Sequence, residues 1–241
     1  MSKNTFIFLD TKILIAWNYY ICRINFYKVG KDKLKRFAEL ETFTNVFQLN
    51  PVHKGVWNEN YFKNSNPIVL ELGCGRGEYT VSLAKFFPQK NFIGIDIKGA
   101  RIWRGAKTGM EENISNMAFL RIEIEQLEEH FGQGEVDEIW ITFPDPQPQI
   151  SRERKRLTYN RFLEMYKKVL KPDGIVHLKT DNDGLYEYTL EKTKELKLNV
   201  IKHTSDLYKE EWLDDVLSIQ TTYEKIYRDK GKNINYIQFK F

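Results

Sequence analysis

The sequence has few of the residues that build disulfide frameworks or metal sites. Only two of its 241 residues are cysteine, Cys22 and Cys74, which excludes a disulfide framework and a four-cysteine zinc site. Its four histidines lie far apart in the chain and show no His-x-x-x-His spacing. We therefore expect no metal ion in this protein.

Long hydrophobic runs are also missing. The most apolar stretch is formed by residues 1–30, but its longest uncharged run, from Ile13 to Cys22, is too short to span a bilayer. It lacks a small-residue cleavage site, which argues against a signal peptide. Two interpretations remain: a family-specific extra element, or upstream in-frame translation with a natural start near Val29-Gly30-Lys31. We expect no membrane partner and treat residues 1–30 as an N-terminal extension and residues 31–241 as one domain.

A strong excess of either charge is absent as well. The 37 basic and 33 acidic residues leave a net charge of +4, which is too small to demonstrate a nucleic-acid partner. The distribution is more informative, because the segment from Arg152 to Lys171 holds eight basic and two acidic residues. This segment predicts a phosphate-binding surface. A second basic row is equally consistent with such a surface and with a solvated helix face; it comprises Lys98, Arg101, Arg104 and Lys107.

From residue 67 onward, apolar runs of strand length alternate with stretches of helical periodicity. We predict strands at residues 67–72, 91–97, 117–122, 136–143, 174–180, 199–204 and 234–241. We predict helices at residues 79–87, 100–110, 162–170 and 186–196. Repeated β-α units require right-handed crossovers, so we expect a doubly wound α/β domain with a mostly parallel, seven-stranded sheet and helices on both faces.

The loop after the first of these strands is rich in glycine. Gly73, Gly75 and Gly77 allow a sharp turn and a close approach to a ligand, and Asp96 ends the next strand, where an acid meets ribose hydroxyls in such folds. A dinucleotide site needs its third glycine three positions after the second, where this chain has Glu78. A carboxylate there would repel a pyrophosphate but not S-adenosylmethionine, which has no phosphate. The spacing therefore favours S-adenosylmethionine over NAD; a plain connecting turn is the alternative.

Two further acids follow strand ends. Glu123 comes after the third strand, where it can accept a hydrogen bond from an adenine amino group, although most acids in this region belong to a solvated face. Asp145 lies between two prolines at the end of the fourth strand, and a third proline follows at position 148. Prolines hold such a loop rigid at the carboxyl edge of the sheet, where ligands bind. The alternative for Asp145 is a simple turn residue.

Taken together, the motifs resemble the bacterial tRNA (guanine-N7-)-methyltransferases. The resemblance extends over about residues 31–241, including Lys33 to Gln48, and its motifs are Glu71-x-Gly-x-Gly-x-Gly, Phe143-Pro-Asp-Pro, Leu178-Lys-Thr-Asp-Asn and Thr221-Thr-Tyr-Glu. Two positions depart from the family pattern. Gln147 stands where the family usually has Trp, and Gln149 stands where it usually has Lys.

The resemblance implies a cytoplasmic, RNA-binding enzyme with a Rossmann-like methyltransferase fold, acting as a monomer or homodimer. It would form 7-methylguanosine at position 46 in the variable loop of tRNA. The residues that would bind S-adenosylmethionine are Glu71, Gly73, Gly75, Gly77, Asp96, Glu123 and Asp145. Asp145 would also be the catalytic residue. The residues expected to contact tRNA are Gln149, Arg152, Arg154, Lys155, Arg156, Asp181, Thr221, Tyr223 and Glu224.

Methyl transfer to guanine N7 is chemically compatible with these residues. Guanine N7 carries a free lone pair and needs no prior deprotonation. The enzyme must align the reactants and stabilise the positive charge that appears on the base, which a carboxylate such as Asp145 could do. Two alternatives remain: a methyltransferase of the same fold acting on a protein or small molecule, and a non-catalytic RNA-binding protein. The intact glycine loop and acids argue against the latter.

Overall fold

The computed structural model describes residues 33–241. The N-terminal extension, and with it the choice between its two interpretations, lies outside the described residues, so the boundary at residue 31 stays a prediction. The chain divides into two compact units, of which the first ends at Thr42 and the second comprises Phe43–Phe241. In the first unit residues 33–40 form helix α1, followed by a turn in which the Thr42 hydroxyl donates to the Glu39 carbonyl.

The second unit is built on one sheet of eight strands. The strands are β1 (Val46–Gln48), β2 (Ile68–Leu72), β3 (Asn91–Ile95), β4 (Met117–Arg121), β5 (Val136–Thr142), β6 (Leu170–Thr180), β7 (Asn199–Thr204) and β8 (Asn235–Lys240). Their order is β1-β4-β3-β2-β5-β6-β8-β7, and β8 pairs antiparallel with both of its neighbours while the other pairs are parallel. The fold class is confirmed, but the prediction of seven strands missed β1. Its three residues are too few to show a period-two pattern.

Six further helices connect these strands. They are α2 (Glu78–Phe86), α3 (Gly99–Glu111), α4 (Leu127–His130), α5 (Asn160–Val169), α6 (Asp183–Glu195) and α7 (Thr222–Asp229). The connections from β2 to β3 and from β3 to β4 each add a strand on the β1 side of the sheet, whereas the connection from β5 to β6 adds a strand on the β7 side. Because such crossovers are right-handed, α2 and α3 cover one face and α5 covers the opposite face. In agreement with this, α2 contacts α3, and α4 contacts α5.

The join between α5 and β6 differs from the sequence prediction. The helix ends at Val169 and β6 begins at Leu170, whereas the periodicity predicted a helix through Leu170 and a strand from Gly174. The register with β5 shifts within this segment, so residues 171–174 form an irregularity in the strand. Pro172 cannot donate to the ladder, and a bulge accommodates it without breaking the strand.

The centre of the sheet packs tightly against α2 and α3. All five residues of β2 and of β3 are buried, as expected for parallel strands that are covered on both faces. The ring of Phe119 on β4 fills a niche left by Gly77, Gly94 and Gly105. A Cβ atom at any of these three positions would lie only 2.5–2.7 Å from that ring. Gly77 is therefore required for packing as well as for the turn.

The progression of the strands reverses between the neighbours β2 and β5. In doubly wound sheets ligands bind at the carboxyl ends of the strands at this reversal. Leu72 and Ile141 are paired, so the loops that follow β2 and β5 emerge side by side. None of the helices in residues 33–241 has both the length and the apolar character that crossing a membrane requires.

Candidate active site

A cavity of about 370 Å³ opens at the carboxyl ends of β2 and β5. Its volume is within the range of small-molecule sites, about 300–1,000 Å³. The wall is made by the glycine loop, the end of β5, the first turn of α7 and Arg101 of α3. The sequence-predicted site residues that line it are Glu71, Gly73, Gly75, Thr221 and Tyr223.

The glycine loop makes a tight turn. Gly73, Gly75 and Gly77 have φ values of 73°, 56° and 71°, in the left-handed region where a Cβ is strained. The Ile95 carbonyl accepts hydrogen bonds from the backbone N–H groups of Gly73 (2.8 Å) and Cys74 (3.0 Å). A Cβ at Gly73 or Gly75 would not meet a nearby side chain. The missing side chains therefore keep the cavity wide.

Asp96 fixes the glycine loop through backbone hydrogen bonds. Its carboxylate accepts hydrogen bonds from the backbone N–H groups of Gly75 (3.0 Å) and Lys98 (2.8 Å), and the residue is only 9% exposed. Asp96 is not part of the cavity wall. Since a carboxylate has about four acceptor positions, these two hydrogen bonds leave part of its acceptor capacity unused.

Glu71 forms a buried link between β2, α2 and β5. It is 3% exposed; one carboxylate oxygen accepts from the N–H (2.8 Å) and hydroxyl of Thr80, and the other accepts from the Thr142 hydroxyl (2.7 Å). Burial raises the pKa of Glu71 to about 7, because desolvation outweighs these hydrogen bonds and the nearby Asp96 adds to it. The side chain is thus fixed in orientation and titrates near neutral pH.

The loop after β5 has a fixed, irregular shape. Phe143 and Gln147 adopt positive φ values of 49° and 44°. The Phe143 N–H donates to the Lys179 carbonyl (2.8 Å), and the Gln147 N–H donates to the Asp145 carboxylate (3.1 Å). Asp145 is exposed and lies outside the cavity wall. Backbone and side-chain bonds together hold its carboxylate at the carboxyl edge of the sheet.

Arg156 also supports this loop. Its Nε donates to the Gln147 carbonyl (3.2 Å), and its guanidinium lies 4.3 Å from the ring centre of Tyr188. Arg156 is partly buried, and the only hydrogen bond of its guanidinium group within residues 33–241 is the one from Nε. A direct tRNA contact from Arg156 therefore stays a prediction, to which the structure adds a supporting role for this loop.

Tyr223 brings several predicted residues together. Its ring centre lies 5.6 Å from that of Phe143 and 4.4 Å from that of Tyr227, and the residue is 44% exposed. Burial raises the pKa of Tyr223, the side chain of Tyr227 raises it further, and the carboxylates of Asp181 and Asp145 add to this rise. Both acids therefore act electrostatically on the same phenol. Asp181 is half-buried, and burial raises the pKa of its own carboxyl group.

The first turn of α7 is tied to the start of α2. Thr221 caps α7, its hydroxyl accepting from the Glu224 N–H (3.1 Å). Thr222 donates from its N–H (2.6 Å) and hydroxyl (2.7 Å) to the carboxylate of Glu78. Sequence reasoning missed this contact: Glu78 stood out only as an acid that disfavours a pyrophosphate. No local pattern connects two positions 144 residues apart.

Glu224 lies inside the protein. Both Glu224 and Lys179 have side chains with no exposed surface, and they form an ion pair at 3.0 Å. The Tyr208 hydroxyl donates to Glu224 (2.7 Å), while Lys179 also donates to the carbonyls of Leu217 (2.9 Å) and Ile219 (3.1 Å). Burial lowers the pKa of Lys179, and Glu224 opposes that shift. The prediction of a tRNA contact from Glu224 does not fit this burial; the residue anchors α7 to β6.

The remaining basic residues of the loop region point outward. Arg152, Arg154 and Lys155 belong to a short 3₁₀ helix over Ile150–Lys155 and are exposed. None of the three has an ion-pair partner within residues 33–241. Gln149 is exposed at the start of this helix, where its carbonyl accepts from the Arg152 N–H (2.9 Å).

Glu123 lies apart from the cavity wall. It is exposed and caps a short 3₁₀ helix over Ile124–Gln126, where the Gln126 side chain accepts from the Glu123 N–H (3.2 Å). This local role is compatible with a ligand contact, since the carboxylate stays accessible. Within the described part of the chain, no three His, Cys, Asp or Glu side chains are grouped so that they could hold a metal ion.

Comparison with known proteins agrees with this geometry. A family model described as "Putative methyltransferase" matches residues 65–237. The chain is 53% identical to the tRNA (guanine-N(7)-)-methyltransferase of Christiangramia forsetii over 220 residues, 88% of this chain and 98% of that one. It is 48% identical to the protein of the same name from Bacteroides thetaiotaomicron, over 88% and 86%. Among solved structures, the 16S rRNA methyltransferase KamB matches with a TM-score of 0.58 at 15% identity, covering 76% of this chain and 91% of that one, which is a likeness of fold.

Proposed function

The chain belongs to the tRNA (guanine-N(7)-)-methyltransferase family, and from this premise we propose how its site carries out the reaction. It transfers a methyl group from S-adenosylmethionine to N7 of a guanine in tRNA. We assign the target to position 46 of the variable loop. The observation that carries the assignment of the site is the meeting of the glycine loop, the Asp145 loop and the start of α7 at one cavity.

The residues around the cavity fit S-adenosylmethionine. The positions of Gly73 and Gly75 leave room where side chains would otherwise project, and the backbone of this turn would hold the methionine end. Asp96 keeps unused acceptor capacity, which the ribose hydroxyls would use. Glu123 would accept from the adenine amino group. Glu78 in the cavity wall is compatible with this cofactor, which carries no phosphate.

Methyl transfer needs alignment and charge stabilisation more than proton transfer. When bound, the cofactor supplies an electrophilic methyl group on a sulfonium sulfur. Guanine N7 offers its lone pair directly, so no side chain has to act as a base. Asp145 would stabilise the positive charge that develops on the purine. The rings of Phe143 and Tyr223 would provide an aromatic face for the unstacked base.

The surface around the cavity fits a structured RNA. Arg152, Arg154 and Lys155 are free to contact phosphates, with Gln149 beside them. Asp181 and Thr221 would contact the guanosine, together with Tyr223. Glu224 would act indirectly, by holding α7 in place, and Arg156 would support the Asp145 loop. We expect the enzyme to work in the cytoplasm as a monomer or homodimer.

The decisive experiment maps the product. Unmodified tRNA transcripts are incubated with the full chain and S-adenosylmethionine, and the modified nucleoside is located by mass spectrometry. We expect 7-methylguanosine at position 46, and none in a transcript whose G46 is replaced by A. Methylation at another position would contradict the assignment of position 46. Binding of tRNA without any turnover would favour a non-catalytic protein, and methylation of proteins or small molecules alone would favour the other alternative.

A further inference from the structure

A second set of exposed cations lies at the start of α3. Lys98 directly precedes the helix, Arg101 lies in its first turn and Arg104 lies in the next; all three are exposed. None of them has an ion-pair partner within residues 33–241. Lys107, the fourth member of the basic row, differs because it is half-buried and lies 5.0 Å from the ring centre of Trp103.

The position of these cations is electrostatically unfavourable for the helix. The N-terminus of a helix carries a partial positive charge, so acidic residues stabilise the first turn and basic residues oppose it. The first turn of α3 contains no acid and does contain Arg101. Asp96 accepts from the backbone N–H of Lys98, but it forms no ion pair with the cationic side chains in the described part of the chain. An anion from outside the chain would compensate this arrangement.

The basic start of α3 also faces the site described above. α3 follows β3, so its first turn lies at the carboxyl edge of the sheet, and Arg101 is part of the cavity wall together with Arg76. In the strand order β3 lies on one side of β2, whereas β5, which leads to Arg152–Lys155, lies on the other. Two exposed basic surfaces therefore flank the cavity. An RNA strand whose base enters the cavity has phosphates on both sides of that base.

We propose that Lys98, Arg101 and Arg104 form a second phosphate-binding surface for the tRNA, on the opposite side of the target guanine from Arg152–Lys155. This inference rests on the proposed function and deepens it. The tRNA backbone is held at two places, and the guanine between them is presented to the cavity. The row at α3 is then part of the substrate interface and not a solvated helix face.

The test compares two pairs of charge-removing substitutions. Arg101→Gln with Arg104→Gln removes two cations from the proposed surface. Lys194→Gln with Lys197→Gln is the matched control. Lys194 is exposed in the last turn of α6 and Lys197 is exposed just beyond its end, so both lie at the opposite, amino-terminal edge of the sheet. Binding of tRNA is measured by filter retention at salt concentrations from roughly 50 to 300 mM, a range that brackets physiological ionic strength. S-adenosylhomocysteine affinity is measured separately by calorimetry.

Affinity falls as salt rises, so the slope of log affinity against log salt is negative. For the arginine pair we expect this slope to become shallower by roughly 1.4–1.8, since each phosphate that is no longer neutralised removes about 0.7–0.9 from its magnitude. Affinity for tRNA at about 0.15 M salt should fall about tenfold or more by the same relation. The control pair should keep the wild-type slope. The thermal midpoint of the arginine variant should not fall, because removing cations from a helix N-terminus does not weaken the helix.

An unchanged salt slope in the folded arginine variant would overturn the inference and leave α3 with a solvated face. Reduced cofactor affinity with an unchanged salt slope would also overturn it, by making Arg101 a ligand of the cofactor. A shallower salt slope in the arginine variant supports the inference, whether or not cofactor affinity changes. If the wild-type chain itself neither binds nor methylates tRNA, the proposed function fails. If it does both and the arginine variant has the same salt slope as the wild type, the proposed function stands without this surface.

Discussion

The carboxylate of Glu78, at the start of α2, holds Thr222 at the start of α7 through two hydrogen bonds, from the N–H (2.6 Å) and from the hydroxyl (2.7 Å). The glycine loop leads directly into Glu78, and Thr222 lies next to Tyr223. This contact therefore connects the loop that we propose holds the cofactor with the turn that we propose contacts the guanosine. Both residues belong to the cavity wall.

Glu78→Gln should lower kcat/KM for tRNA by about tenfold, because hydrogen bonds to a charged group contribute about 1.5–3 kcal/mol and partial exposure brings this one to the low end. Steady-state methylation assays at saturating cofactor measure the effect. Glu191→Gln, on the exposed face of α6, is the control and should be neutral. Wild-type kcat/KM in the Glu78 variant would mean that α7 is positioned without this contact.

The buried carboxyl group of Glu71 should make stability depend on pH. Its pKa is about 7 in the folded state, against 4.5 for a glutamate exposed to water, so the folded state binds the proton more tightly. The stabilisation is complete below about pH 4.5, declines as the pH rises to about 7 and is then lost, a total of roughly 3 kcal/mol.

Glu71→Gln should remove this dependence, because the amide resembles the protonated acid and can still bond to Thr80 and Thr142. Urea unfolding of both proteins at several pH values from about 4.5 to about 7.5 measures the difference. Glu138 contributes equally to both proteins, and its contribution changes mainly below this window, since His177 and Lys90 lower its pKa to about 2. Parallel stability curves for the two proteins would show that Glu71 is ionised throughout.

The buried pair of Lys179 and Glu224 should be sensitive to removal of either partner. Glu224→Gln or Lys179→Met alone should destabilise the protein by about 3–5 kcal/mol, because each leaves a buried charge without its partner. The double variant should lose less than the sum of the two. Urea denaturation of the four proteins gives this coupling as a double-mutant cycle, and strictly additive losses would argue against a buried ion pair.

Asp145→Asn preserves the shape of the side chain and its bond from the Gln147 N–H while removing the charge. Preorganised groups of this kind contribute about 10²–10³ in turnover, so we expect kcat to fall by that factor. Initial rates are measured with tRNA and cofactor both saturating, so that weaker binding does not enter. Asp215→Asn, at an exposed position, serves as the control. A near wild-type kcat would leave Asp145 as a turn residue.

The basic 3₁₀ helix and Arg156 should respond differently to substitution. Replacing Arg152, Arg154 and Lys155 by Gln should weaken tRNA binding and lower its salt slope by roughly 0.7–0.9 for each phosphate that the variant no longer neutralises. Arg156→Ala should instead lower kcat with little change in that slope, because Arg156 supports the Asp145 loop through Gln147. Filter binding and steady-state assays separate the two effects. Equal salt slopes in the triple variant and the wild type would contradict the phosphate contacts.

Much of the fold is encoded locally and could be predicted from the sequence. Apolar runs and helical stripes located β2 to β8 and α2, α3, α5 and α6 to within a few residues, because strands and helices repeat with different periods. The placement of Asp96 and Asp145 at one edge also followed, since the carboxyl ends of parallel strands meet there. The sequence did not predict β1 or the start of β6 at Leu170, because pairing with β4 determines the first and pairing with β5 determines the second.

What the site residues do was decided by the tertiary structure. The family resemblance implied a tRNA contact for Glu224, but its carboxylate is buried in an ion pair with Lys179, 45 residues away. Distant partners also set the surroundings of Arg156, which contacts Tyr188 and Gln147, and of Glu78, whose partner lies on α7. A sequence shows which residues carry charge and which element they occupy. Whether a charge meets a ligand or another side chain depends on partners that only the packed chain brings within hydrogen-bonding distance.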